Sequence, residues 1–213
     1  MCTAFYRHSS RLALGIAVIY VTSALFADDR SEVLYRTRNF FGQLRVLGSS
    51  DGASHRLVHG TTVHGFQATN PPLRGEPLGY YHRTGPVGQL FAAFEGPKRA
   101  ERVALVGLGI GSLAAYGERG QRFDFFEINP EVERIARNPD YFHHLEDSRA
   151  EVRVVLGDAR LMLAREPDAT YKVIVIDAFG SGAVPVHLLT REAMALYRRK
   201  LAPGGMIAFH ISN

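Results

Sequence analysis

Hydrophobic positions change character twice along the chain. From Leu12 to Ala27 they are nearly continuous and uncharged (LALGIAVIYVTSALFA), with Arg7 and Arg11 before them and Asp28-Asp29 after. This predicts an apolar helix. Sixteen residues rise about 24 Å, slightly short of the roughly 30 Å hydrocarbon core, so a span would need Phe5 and Tyr6 or local thinning. We read it as a membrane segment. A signal peptide fits less well, because Leu25, not a small residue, stands two positions before Ala27; a buried core helix is the structural alternative. From Glu32 to Phe66 the pattern is short and β-like: Val33 to Tyr35, Gly42 to Leu47, His55 to His59, a Gly60-Thr61 turn, and Thr62 to Phe66. Hairpins are the natural outcome. Residues 67–87 carry Asn70-Pro71-Pro72, Gly75, Pro77, Gly79, Gly85 and Pro86, a turn-rich connection that reads as a substrate-facing loop.

Beyond residue 100 apolar runs alternate with helical patterns. Val103 to Val106, Phe123 to Phe126, Val152 to Leu156, Val173 to Ile176 and Met206 to Ile211 are strand-like. Leu113 to Tyr116, Pro130 to Ala136, Arg160 to Arg165 and a stretch near His187 to Leu201 read as the intervening helices. This predicts an α/β fold with a doubly wound, mostly parallel sheet, Rossmann-like and of the class I methyltransferase type. The expected organisation is residues 1–30 as an apolar membrane segment, 31–88 as a β-hairpin region with its loop, and 89–213 as the nucleoside-binding domain. Because the last strand runs to the end of the sequence with nothing after it to cover it, that domain is expected to be incomplete.

Composition narrows the classes. With 213 residues, 46% hydrophobic and 22% charged, the chain fits one globular domain with a small appendage. Cys2 is the single cysteine, which excludes a disulfide framework and a cysteine-built zinc site. The nine histidines follow no ligand spacing, and His143-His144 are adjacent, so no metal site is expected. The net charge of +4 comes from scattered bases, 22 of them Arg and three Lys, with no run longer than Arg198-Arg199-Lys200. No nucleic-acid partner is expected.

In such sheets ligands bind at the carboxyl ends of the strands, and chemistry-bearing residues stand there. The first strand of this half runs into Gly107-Leu108-Gly109-Ile110-Gly111, whose glycines permit a tight turn and close backbone approach to a ligand. Position 112 is Ser, not the third glycine of a dinucleotide fingerprint, so NAD and FAD are disfavoured and an adenosyl-sulfonium nucleoside fits better. The second strand ends in Glu127, 20 residues after Gly107, where a carboxylate accepts from ribose hydroxyls; the alternative is an acid favourable to the helix that starts at Pro130. The third ends at Gly157-Asp158, where Asp158 either accepts from an adenine amino group or caps the following helix. The fourth ends in Asp177, emerging from a fully apolar strand; it is the catalytic candidate, able to hold or deprotonate an amine, with a loop-bonded Asp as the alternative.

The order of VGLGIG, FFEINP, LGDAR and VIDAFGSGAVPVHLLT, preceded by Phe41-Gly42-Gln43 and Leu78-Gly79-Tyr80-Tyr81-His82, resembles the polyamine aminopropyltransferases, the spermidine synthase family, over about residues 33 to 213. The form it most resembles is the bacterial one in which this domain follows a membrane-embedded region. The resemblance implies transfer of an aminopropyl group from decarboxylated S-adenosylmethionine, a co-substrate with no permanently bound cofactor, to a polyamine such as putrescine, releasing methylthioadenosine. It also implies roles. Gln43, Tyr81 and His82 correspond to positions near the donor and amine pocket, Gly107, Gly109, Gly111, Glu127 and Asp158 to nucleoside contacts, and Asp177 to the acid that positions and deprotonates the amine.

The chain departs from the family pattern at two places. Gly180 and Gly182 stand where a second acid is usual, and Arg83 follows Tyr-His where Glu is frequent; pointed inward, that arginine would repel a polyamine. The same fold and glycine loop also permit an S-adenosylmethionine-dependent methyltransferase or a non-catalytic, membrane-tethered nucleoside- or polyamine-binding module. Arg7 and Arg11 would by the positive-inside rule export the domain, but adenosyl donors are made in the cytoplasm and Arg30, Arg36 and Arg38 lie on the other side. The expectation is a membrane-associated chain with a cytoplasmic domain, and a homodimer as the candidate assembly.

Overall fold

The computed structural model describes residues 9–25, 31–94, 101–179 and 184–211. Helix α1 (Ser9–Leu25) forms where the apolar run predicted it. Its 17 residues rise about 26 Å, short of a hydrocarbon core, and no described helix is long and apolar enough to cross a membrane. The membrane segment expected at residues 12–27, the membrane-fused form and the membrane location find no support in the described helix. Phe5, Tyr6, Phe26 and Ala27 lie outside the described residues.

The β-like segment folds as an antiparallel meander: β1 (Glu32–Asn39), β2 (Gly42–Gly48), β3 (Ser54–His59) and β4 (Thr62–Ala68), paired in sequence order. Alternation along β2 and β3 sends Leu44, Val46 and Leu57 into the core. The connection expected as loop contains two short helices, α2 (Pro71–Arg74) and α3 (Pro86–Ala92), and a 3₁₀ turn at Gly79–Tyr81. Both helices begin on proline, whose fixed φ and missing N–H suit a first helical turn.

The second sheet is wholly parallel. β5 (Arg102–Val106), β6 (Arg122–Glu127), β7 (Glu151–Leu156), β8 (Tyr171–Ile176) and β9 (Leu201–Phe209) lie in the order β7-β6-β5-β8-β9. Between them run α4 (Pro130–Ala136), α5 (Ala159–Arg165) and α6 (Arg191–Lys200). The β5–β6 connection is a 3₁₀ turn over Ser112–Tyr116 rather than the expected helix; Gly117 leaves helical geometry at once, and few residues remain before β6. In β9 the register slips between its pairings Tyr171↔Leu201 and Val173↔Met206, so continuous pairing runs from Met206 to Phe209 and stops short of Ile211.

The central strands are continuously apolar because both faces are covered. Val103, Leu105, Phe123, Phe125, Val173 and Val175 meet the antiparallel sheet, Phe91 and Phe142. Ala104, Val106, Phe126, Ile174 and Ile176 meet Leu163 of α5 and Ala193, Leu196 and Tyr197 of α6. The chain steps outward from β5 to β7 and returns to β8 on the other side of β5, so the topological switch point lies between β5 and β8. Ladder hydrogen bonds continue one residue past the strand ends: Gly107 N to Phe126 O, Gly157 N to Glu127 O, Asp177 N to Val106 O and His210 N to Ile176 O, all 2.8–2.9 Å. Those bonds fix the direction in which each post-strand residue leaves the sheet.

Candidate active site

A cavity of about 250 Å³ opens at these carboxyl ends. Its floor carries Gly107, Gly109, Glu127, Asp158 and Asp177, and the antiparallel sheet contributes Phe41, His59 and His64. These five acid and glycine positions read from the sequence thus meet in one place, as expected for a switch-point crevice.

The glycine loop is tight for a steric reason. Gly107 has φ +99°, and a Cβ there would stand 2.4 Å from the Asp177 carbonyl oxygen; Gly109 has φ +55°, and its Cβ would stand 2.9 Å from the His64 carbonyl oxygen. Only glycine lets the loop lie against β8 and β4 together. Gly111 stands apart from these two: it faces Leu145 in the core and is not among the residues that line the cavity.

Glu127 is buried, with one carboxylate oxygen accepting from Leu108 N at 3.0 Å and the other from Asn129 N at 2.8 Å. Burial raises its pKa, opposed by those backbone donors, by Ile128 N–H and by the field of His59. With three backbone donors on it, the carboxylate keeps one acceptor site for a ligand hydroxyl. The cap of α4 is Asn129, which accepts from Glu131 N. Asp158 does cap α5, through Leu161 N at 3.0 Å, and its other oxygen lies 3.1 Å from His187 Nε2. It lines the cavity while capping.

Asp177 is gripped from two sides. The Tyr81 hydroxyl donates to Oδ2 at 2.8 Å, and His210 Nδ1 stands 2.6 Å from Oδ1. Burial, then the Asp177 charge, push the Tyr81 phenol well above its ordinary range; the hydrogen bond to Asp177 raises His210. Tyr81 is held in turn by Tyr116, whose hydroxyl donates to its carbonyl.

Two predicted residues stand elsewhere. Gln43 shares β2 with Leu44 but on the opposite face; its amide accepts from Arg36, and it does not line the cavity. His82 is exposed and bonds Thr84 at 2.9 Å. Arg83 turns away from the cavity, onto Glu76 at 2.7 Å and over the Tyr116 ring, so it does not face an incoming amine. Gly180 and Gly182 lie outside the described residues. Among the described residues no group of three or more His, Cys, Asp or Glu could hold a metal.

The sequence reading missed His59, His64, His187 and His210. His210 occupies the post-strand position of β9, the same position that singled out the other four residues. His59 and His64 reach the cavity only through docking of the meander, which leaves no local signal.

No family model matches the chain. It is 33% identical over 205 residues to the polyamine aminopropyltransferase of Vibrio vulnificus, covering 92% of this chain and 64% of that protein. It is 30% identical to polyamine aminopropyltransferase 2 of Streptomyces coelicolor, covering 97% and 32%, and 28% identical to the N-terminal histidine N-methyltransferase of Emericella nidulans, covering 96% and 38%. The chain therefore spans less than two thirds of the length of each of these relatives. Among solved structures it is similar to a probable spermidine synthase from Corynebacterium glutamicum, with a TM-score of 0.66 at 17% identity, over 84% of this chain and 63% of that one; this likeness concerns the fold. By these sequence matches, the chain is similar to the polyamine aminopropyltransferases.

Proposed function

We propose that this chain transfers an aminopropyl group from decarboxylated S-adenosylmethionine to an amine, putrescine being the first acceptor to test. The observation that carries the reading is a single cavity that brings the glycine loop, Glu127 and the Asp177 carboxylate together. The sequence likeness to polyamine aminopropyltransferases supports it. Gly107 and Gly109 let the backbone approach the nucleoside, Glu127 accepts from a ribose hydroxyl, and Asp158 borders the base. Asp177 receives the acceptor.

The chemistry follows from charge. An alkylammonium with a pKa near 10 must lose a proton before its nitrogen can attack. Asp177 first attracts the cation and then takes that proton. The nitrogen forms a bond to the methylene carbon beside the sulfonium, the carbon–sulfur bond breaks, and its electron pair neutralises the sulfur, leaving methylthioadenosine. Alignment of amine and sulfonium in the cavity supplies further acceleration.

A second reading, methyl transfer from S-adenosylmethionine to an amine, is favoured by the likeness to the histidine N-methyltransferase. Isothermal titration calorimetry of the full chain with decarboxylated S-adenosylmethionine, S-adenosylmethionine and NAD separates the two, followed by turnover with putrescine. Selective binding of the decarboxylated donor is expected. Preference for S-adenosylmethionine would move the assignment to methyl transfer, and binding of neither by folded protein would overturn both.

A further inference from the structure

The described residues include one contact at the site that the transfer chemistry does not use. His210 stands at the end of β9, its Nδ1 2.6 Å from Asp177 Oδ1, and its ring lies within a cage of Tyr80 (centroids 5.4 Å apart), Tyr81 (6.0 Å) and Phe179 (5.0 Å). Its side chain is about one fifth exposed and that of Asp177 less than a tenth. A ring so enclosed has little freedom to leave the carboxylate, and the β9–β8 ladder bond from its own N–H to Ile176 O fixes its backbone.

We infer that His210 is the positioning residue of Asp177: neutral, with its proton on Nδ1, it holds one carboxylate oxygen while Tyr81 holds the other, and protonated it becomes the counter-ion that an acceptor ammonium must displace. The inference rests on the aminopropyl-transfer reading for its catalytic meaning, though not for its geometry. With His210 neutral, the trio of Tyr81, Asp177 and His210 carries a net charge of −1, which attracts a cation and leaves the remaining carboxylate lone pairs available to it. With His210 protonated the trio is neutral and the attraction is lost. The titratable groups facing the pair are Tyr80 and Tyr81 from the 3₁₀ turn and His64 from β4, which feels the Asp177 charge. The pairing raises the His210 pKa above its ordinary value, through the hydrogen bond to Asp177.

The test uses the full chain and two substitutions. His210→Ala removes the donor and the titrating group; His210→Asn keeps an amide N–H where Nδ1 stands but cannot titrate. In His210→Ala, kcat with putrescine should fall about ten- to a hundredfold while affinity for the decarboxylated donor holds within about threefold. His210→Asn should recover most of that loss and shift the acid limb of the rate profile to lower pH. Equal loss in both variants, or an acid limb unchanged in His210→Asn, would overturn the inference. Imidazole nitrogen NMR provides a readout without turnover. His210 should titrate above 6.5 and return toward that value in Asp177→Asn; an unshifted His210 in the native chain would also overturn it. If the native chain turns over no amine, the transfer reading fails, and the NMR titration alone decides whether His210 holds Asp177.

Discussion

Tyr81 and Asp177 are 96 positions apart in the chain, yet the phenol donates to the carboxylate at 2.8 Å. The contact joins the turn that follows the antiparallel meander to the end of β8, so the acid presented by one sheet is oriented by a residue delivered from the other. Asparagine at position 177 keeps the shape but has neither the negative charge nor the basicity. Asp177→Asn should leave donor affinity within about threefold while lowering turnover by about 10²- to 10⁴-fold, the usual contribution of a positioned general base. Steady-state kinetics beside calorimetry measures both, and a variant that keeps native turnover would remove Asp177 from the chemistry.

Glu127 makes a separate prediction, because its contacts are to the nucleoside end of the cavity. Its two oxygens already satisfy Leu108 N and Asn129 N. An amide in its place can satisfy only one of them and presents an N–H₂ to the other. Glu127→Gln should therefore weaken methylthioadenosine binding at least about tenfold, corresponding to loss of a charged hydrogen bond worth about 1.5–3 kcal/mol. Calorimetric affinity unchanged by the substitution would mean that the ribose hydroxyls bind elsewhere.

The parallel sheet was legible because burial on both faces writes itself into the sequence as Val103-Ala104-Leu105-Val106 and Val173-Ile174-Val175-Ile176. Glu127, Asp158 and Asp177 were legible because each is a polar residue that ends or closely follows such a run. His210 obeys the same rule and was passed over only because Met206 to Ile211 reads as one strand, whereas pairing stops at Phe209. Gln43 stands off the cavity for a reason that period-2 alternation contains: Leu44 faces the core, so its neighbour faces away.

At the opposite end of the sheet a buried carboxylate should govern stability rather than chemistry. Asp124 is fully buried and accepts from Arg122 Nε at 3.0 Å, Arg153 Nε at 2.7 Å, and Arg102 and the Tyr171 hydroxyl at 2.8 Å. Burial by itself would raise its pKa; the hydrogen bonds from Arg153, Arg102, Arg122 and Tyr171 outweigh that and hold it at about 2. Asp124→Asn removes the charge that compensates three guanidinium groups, each about one third exposed. The expected cost is about 2–4 kcal/mol, toward the lower part of the range for a broken buried ion pair because water still reaches the arginines. Thermal unfolding should fall by roughly 5–15 °C for a chain of this size, and an unchanged midpoint would mean the network contributes no net stability.

His144 sets the response of the fold to mild acid. It is 1% exposed, and neither ring nitrogen has a hydrogen-bond partner among the described residues. Burial lowers its pKa to about 4, against a small opposing pull from Asp147 and with His143 adding to the decrease. In the unfolded chain the same imidazole takes its proton near 6.5. Between those values the unfolded state binds more protons than the folded one, so stability rises with pH through this window and is lost as pH falls from 6.5 toward 4. Above 6.5 both states are neutral and the contribution is flat; below 4 both are charged and the loss is complete, at about 3 kcal/mol. Urea unfolding at pH 7 and pH 5 measures the slope. The native chain should lose about 2 kcal/mol more between those two pH values than His144→Leu, whose side chain has no proton to gain. Parallel losses in the two proteins would mean that His144 is protonated in the folded state without penalty, contrary to its enclosure.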